Sequence, residues 1–481
     1  MRKSIVTDLT IYGTAEALAK LLNYSLFFLA AILFSGTEYG IISLLFGIQV
    51  LLVTLFEWSQ GTILFQLYFE FETKGRLRAL QAATFLVWLL GGGLLALFTA
   101  LLLRAFILPR YIPQLPFFPT VALIILAAYF DSFSSIVKQL YRVSGKAFQS
   151  ATIRVLPSAL TLTLALLFFS LYGRTTLSYA AAAFFSLLCS FLLFCFDFLR
   201  KLRSIPETRS PKPLATCASL GLPLILVVLT GWVTTYGSRY ILNYETTPAA
   251  VASYSLAFVL SQPLIYAATI VNMAWIPYLF RTSASSAGAD SEFVREYVRY
   301  RSFLIWVLVV LGSALPLIAR IVQPAFGGDK YPELPRLVPI MVAALIGLSL
   351  YYVNISLLYL HKKNGAILLI NLIVSVLNIL LNLLLVPRWT GFGSAVSYLL
   401  SCILLSILVT AYALRLEDLP SGAVHYALVF TSCVAVLSQV AIISIWWQIV
   451  IFLILTVTTT LATGMDKPLR KASKVALMRP A

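Results

Sequence analysis

The 481-residue chain reads as an all-α integral membrane protein of about fourteen transmembrane helices. Three observations predict this. Hydrophobic residues make up 60% of the chain and charged residues 11%, whereas soluble domains carry about a quarter charged residues. Apolar runs of about 20 residues, the length that crosses a bilayer core, recur along the whole sequence with short polar breaks between them. The runs are continuously apolar rather than alternating, which excludes a barrel, and a helix satisfies its own backbone hydrogen bonds in lipid.

The expected spans are 11–34, 41–65, 80–103, 117–137, 151–171, 177–199, 215–238, 249–275, 302–322, 337–360, 365–386, 393–414, 424–444 and 446–464. The first is too long for the apolar core of a signal peptide and lacks a small-residue cleavage site, so it reads as helix one. Between spans, Lys and Arg mark one side of the membrane: Arg2 and Lys3; Lys74, Arg76 and Arg78; Lys138, Arg142, Lys146 and Arg154; and five basic residues from Arg200 to Lys212. The same side holds Arg281, Arg295, Arg299, Arg301, Lys362, Lys363 and Arg415, then a tail with Lys467, Arg470, Lys471, Lys474 and Arg479. Only eight basic residues, Arg104, Arg110, Arg174, Arg239, Arg320, Lys330, Arg336 and Arg388, face the other way. Cytoplasmic loops retain Lys and Arg, so both termini are expected inside. The net charge of +17 is then a topogenic signal with affinity for anionic lipid, and it implies no nucleic-acid partner.

A proline- and charge-rich segment, Lys201 to Pro213, separates two runs of six helices. The expected organisation is an N-terminal bundle (1–199), a cytoplasmic linker (200–213), a C-terminal bundle (214–415), an additional helix pair (416–465) and a basic tail (466–481). Weak self-similarity at a spacing of about 215–220 residues supports a repeat. Tyr141, Gly145, Gly173 and Tyr179 align with Tyr359, Gly365, Gly391 and Tyr398. Each half has an even number of helices, so the repeats share one orientation. The five cysteines lie in or beside apolar spans without metal-ligand spacing and read as packing residues.

Ionisable groups inside a membrane are costly, which makes each a functional candidate against snorkelling or structural pairing. Lys20 lies roughly 15 Å into helix one, near the bilayer midplane. Glu16, Lys20 and Asn23 follow i, i+4, i+7 spacing and form one polar stripe, with Glu16 placed to neutralise Lys20. Glu57 and Asp131 are also interior, where a carboxylate titrates in a proton or cation cycle or pairs structurally with Lys20 or Lys138. Arg154 and Arg239 sit near span ends, where long side chains reach water; a guanidinium also suits a diphosphate, because its planar fork pairs with phosphate oxygens. Asn371, Ser375, Asn378 and Asn382 share a face of span eleven, as a cavity lining or as interhelical hydrogen bonds. Gln262, Tyr266 and Thr269 form a weaker set on span eight.

Catalytic chemistry has little support. The two histidines, His361 and His425, lie near predicted cytoplasmic ends, and no P-loop pattern is present. No cofactor or metal is expected, and the chain is not expected to be an enzyme.

The sequence resembles the polysaccharide exporters and O-antigen flippases of the multidrug/oligosaccharidyl-lipid/polysaccharide (MOP) exporter superfamily. The resemblance runs through Lys20, Gly36-Thr37-Glu38-Tyr39-Gly40, Gly221-Leu222-Pro223, Ser238-Arg239-Tyr240, Leu358 to Lys363, Asn378, Asn382, Pro387 and Gly391 to Ala395. The family commonly has Asp before the Arg, where this chain has Ser238. The resemblance implies a MATE-like fold of two six-helix bundles around a cationic cavity, with spans thirteen and fourteen flanking a lateral portal. It implies a flippase that carries a polyprenyl-diphosphate-linked oligosaccharide across a bacterial-type cytoplasmic membrane by alternating access. The substrate-binding set would be Lys20, Asn23, Arg239, Gln262, Asn378 and Asn382, and the ion-coupling set Glu16, Glu57 and Asp131. Implied partners are the lipid-linked oligosaccharide, membrane lipids, H+ or Na+, and polysaccharide polymerase machinery. A cation-coupled drug antiporter of the same superfamily, a membrane glycosyltransferase or O-antigen ligase, and a non-transporting scaffold are the alternatives. The antiporter would need carboxylates at the cavity centre, and the ligase a larger outer loop than the 323–336 gap.

Overall fold

The computed structural model describes residues 2–204, 212–285, 291–361, 363–416, 423–441 and 444–464. Most of the linker, and with it Arg209, lies outside these residues, as does the basic tail from residue 465 onward. Every regular element among the described residues is helical, and eleven helices there are long and apolar enough to cross a membrane. The fourteen expected spans map onto this set as follows. Spans eleven and twelve form one 50-residue run, Asn364–Ala413, broken at Thr390 with φ 49°. Span seven runs through Lys212–Trp232, Val233–Gly237 and Ser238–Glu245, and span thirteen is the shorter Ala423–Ser438 helix.

The chain divides into two compact units. The first comprises Met1–Trp232 with Thr247–Ala252, and the second Val233–Thr246 with Ser253–Ala481. The division therefore falls after Trp232, within span seven, and the Lys212–Trp232 helix packs on helices of the first unit.

In the first unit, Arg2–Leu33 packs along Ala147–Leu171, while Gly36–Glu57 and Thr176–Ser204 flank Ala122–Val143. The second helix starts on a capping box, in which the Ser35 hydroxyl accepts from the Glu38 amide and the Glu38 carboxylate accepts from the Ser35 amide at 3.2 Å, satisfying donors that a helix start otherwise leaves open. The core centres on Trp88, which is 1% exposed. Its ring stacks on Tyr129 with centroids 4.7 Å apart, and its indole N–H donates to Ser132 at 2.8 Å.

Span two differs from its sequence reading. The apolar run 41–65 is not one helix but Gly36–Glu57 followed by Gln60–Thr73, because Trp58 and Ser59 both take positive φ, at 50° and 54°. Two successive left-handed residues other than glycine are strained and persist only where their surroundings hold them. The buried Gln60 amide donates to the Trp58 carbonyl at 3.0 Å and to the Cys217 carbonyl at 3.2 Å. Gly221 lets its helix approach Trp58 so closely that a Cβ there would collide with the indole. Trp232 donates its indole N–H to the Gly47 carbonyl at 2.9 Å. Hydropathy carries no trace of such a break, since it depends on side chains distant in sequence.

In the second unit, Leu334–Gly347 is the central helix, buried almost throughout. The last two helices dock on its surroundings: Cys433 approaches the Ala343 carbonyl at 3.4 Å, and Trp306 donates to Thr460 at 2.9 Å. Tyr297 and Thr410 meet at Asn354, through bonds of 2.6 Å and 2.9 Å. Each bond satisfies a polar group that lipid would leave bare.

Candidate functional site

A cavity of about 320 Å³ lies inside the first unit, within the size range of small-molecule sites. Three helices supply its charges at helical spacing. Helix Arg2–Leu33 contributes Glu16, Lys20 and Asn23; Ala122–Val143 contributes Asp131, Ser134, Ser135 and Lys138; and Ala147–Leu171 contributes Arg154, Ser158 and Thr161. Gln49 and Tyr179 complete the polar lining, with Phe27, Phe46 and Leu187 among the apolar walls. Three cations thus face two carboxylates around one enclosed space.

Glu16 is the electrostatic centre. Its Oε1 lies 3.7 Å from Lys20 Nζ, and its Oε2 contacts Arg154 directly. Glu16 is 13% exposed, against 37% for Lys20 and 29% for Arg154. A carboxylate shared between two cations in a low-dielectric setting offsets part of each charge while leaving donor capacity on each. Arg154, which sequence depth assigned to snorkelling, is instead brought against helix one. Its stripe with Ser158 and Thr161 has the same i, i+4, i+7 spacing as Glu16, Lys20 and Asn23. That periodicity was the available signal for it, as was the 131, 134, 135, 138 pattern for Lys138.

Glu57 does not line this cavity. Its Oε1 accepts the Gly61 amide at 3.3 Å across the break in span two. Lys138 and Asp131, by contrast, both line the cavity.

The remaining predicted residues lie in the second unit. Arg239 is 3% exposed, with its guanidinium 4.7 Å from the Tyr236 ring centroid and 4.9 Å from that of Phe258. Asn382 donates to Ser238 at 3.1 Å and to the Asn378 carbonyl at 2.8 Å, and Asn378 donates to Ser401 at 3.0 Å. The asparagine stripe is therefore engaged in bonds between helices, the commoner use of such residues in membranes. Gln262 occupies the joint between Pro248–Ser261 and Pro263–Ser285.

Compared with solved structures, the chain is similar to the lipid II flippase MurJ in its inward closed conformation, with a TM-score of 0.70 at 13% identity over 95% of this chain and 99% of that one. The chain has the fold of MurJ and the MATE transporters. A variant of the Vibrio cholerae MATE transporter VcmN aligns with a TM-score of 0.57 at 16% identity, over 86% of this chain and 97% of that one. The bent form of VcmN gives 0.55 at 15%, over 86% and 98%. No protein-family model and no curated protein matches the chain. At these identities the likeness carries the fold, and the MurJ/MATE fold is a scaffold of membrane transporters and flippases. What this chain does depends on its own cavity.

Proposed function

We propose that this chain is a flippase that moves a polyprenyl-diphosphate-linked oligosaccharide across the cytoplasmic membrane by alternating access, with both termini inside. The observation that carries this reading is the Lys20–Glu16–Arg154 cluster in the polar cavity. A diphosphate presents several anionic oxygens, and paired ammonium and guanidinium donors match it better than either alone. In this reading the substrate phosphate replaces Glu16 as counter-charge for Lys20 and Arg154, so neither cation is left uncompensated when the cavity is loaded or empty. The hydroxyl and amide groups of Asn23, Gln49, Ser158 and Thr161 suit the first sugar, whose hydroxyls accept and donate in many orientations. The fold it shares with MurJ, a lipid II flippase, supports a lipid-linked substrate.

A second reading, a cation-coupled antiporter, is favoured by the Asp131 carboxylate in the cavity lining beside Lys138, with Glu57 as a second interior carboxylate. The two are compatible if these carboxylates couple ion flux to flipping. The deciding experiment is deletion of the gene followed by identification of the lipid-linked glycan that accumulates on the cytoplasmic face. Accumulation of no such glycan, together with loss of efflux of small cationic compounds, would replace the first reading with the second.

A further inference from the structure

A second polar cavity, of about 170 Å³, opens in the first unit away from the site just described. It lies where four expected membrane-crossing helices end, at Leu77, Val143, Ala147 and Leu202, on the Lys- and Arg-rich side of the chain. Its lining is Tyr68, Leu77, Gln81, Leu140, Tyr141, Ser144, Lys146, Phe198 and Lys201, which includes two ammonium groups and no carboxylate.

The site is built rather than merely basic. Lys201 donates to Tyr141 at 2.8 Å and to Asp197 at 2.6 Å, and its ammonium lies 4.4 Å from the Tyr141 ring centroid. Tyr141 also donates to Asp197. These bonds hold the Lys201 ammonium and the Tyr141 ring at the wall of the cavity without using any group outside the first unit. The Lys146 ammonium lies 6.0 Å from the centroid of the same ring and is exposed, with Asp197 as the carboxylate that acts on it electrostatically. Gln81, on the Leu77–Leu86 helix, is 6% exposed and adds a buried amide to the lining. Lys146 also precedes the first residue of the 25-residue Ala147–Leu171 helix, whose open amides and dipole favour negative charge at that end.

We infer that this cavity binds a phosphate oxyanion carried by an anionic membrane lipid. A headgroup phosphate lies at the depth where membrane-crossing helices end, and each interfacial lysine adds about 1 kcal/mol to anionic lipid binding, or roughly a fivefold change in affinity. The cavity is several times the roughly 30 Å³ share of one water molecule, enough for a phosphate with its ester oxygens. Tyr68, Leu77 and Phe198 line it as well, offering apolar surface to the glycerol end of a lipid. The inference does not depend on the proposed transport activity.

The test uses the full-length protein purified in an uncharged detergent. Short-chain phosphatidylglycerol, phosphatidylcholine of the same chain length and inorganic phosphate are titrated separately, with bound lipid counted by native mass spectrometry and thermal unfolding followed in parallel. Phosphatidylglycerol is expected to bind more tightly than phosphatidylcholine, with affinity falling about fivefold in Lys146→Gln and also falling in Gln81→Leu. Lys363→Gln removes one exposed charge from the second unit and is expected to leave binding unchanged. Stabilisation by inorganic phosphate that is lost in Lys146→Gln supports the same site with a soluble occupant. Equal affinity for the two lipids without a phosphate effect overturns the inference, as does an equal loss in Lys146→Gln and Lys363→Gln.

Discussion

Replacing Lys20 by alanine is expected to separate the proposed transport from folding, because Glu16 has a second cation. At 3.7 Å and an effective dielectric near 20, the Lys20–Glu16 attraction is about 4.5 kcal/mol before desolvation and side-chain entropy are subtracted. Lys20 is 37% exposed, and measured pairs of that kind retain about 1 kcal/mol or less. Arg154 still contacts Glu16 in the variant, so the carboxylate is not left bare and the protein is expected to insert and fold. Transport responds differently. A charge-assisted hydrogen bond to a phosphate oxygen contributes about 1.5–3 kcal/mol, which corresponds to a loss of flux of about 10- to 150-fold if it is made in the rate-limiting state. Lys20→Arg keeps the charge with altered geometry and is expected to retain part of the flux. Glu16→Ala is the informative contrast: it leaves two cations converging on one space and is expected to cost stability, about 1–3 kcal/mol, as well as activity. The assay is flipping of a fluorescent lipid-linked oligosaccharide in proteoliposomes at matched protein levels, with thermal unfolding in parallel. Wild-type flux in Lys20→Ala would refute the role of this cation and leave a structural Glu16–Arg154 pair.

Gly61→Ala places a Cβ 2.5 Å from Glu57 Oε1 and 3.0 Å from Gln139 Cγ, so the carboxylate must leave the Gly61 amide; a loss of about 1–3 kcal/mol is expected in denaturation midpoints. Trp232→Phe removes the 2.9 Å bond to the Gly47 carbonyl and is expected to cost about 1 kcal/mol, read the same way. Glu57→Gln combined with Asp131→Asn is expected to flatten the pH dependence of flux; an unchanged pH profile excludes proton coupling through these two groups. Cysteine labelling is expected to find replacements of Arg209 and Lys471 on the cytoplasmic side and of Lys330 outside, and the opposite accessibility at either end would overturn the topology.

The sequence by itself determined that this chain is a helical membrane protein and roughly where most spans fall, because hydropathy is local: every helix buries its own backbone polarity and shows the lipid its own side chains. It also determined the stripe of Glu16, Lys20 and Asn23, since three residues on one helix share a face by geometry alone. Tertiary structure decided what those residues meet. Arg154 read as a snorkelling residue from its depth, and its stripe with Ser158 and Thr161 did not name a partner; it became the second partner of Glu16 when Ala147–Leu171 packed along helix one. The break at Trp58 and Ser59 was equally invisible, since Gln60, Cys217 and Gly221 hold it across about 160 residues of chain. Asn378 and Asn382 had two readings on one helix, and the partners Ser238 and Ser401 are what engage their amides between helices. Periodicity places residues on a face, and only packing selects which face of another helix lies opposite, because that choice depends on the fit of whole surfaces rather than on any short stretch of sequence.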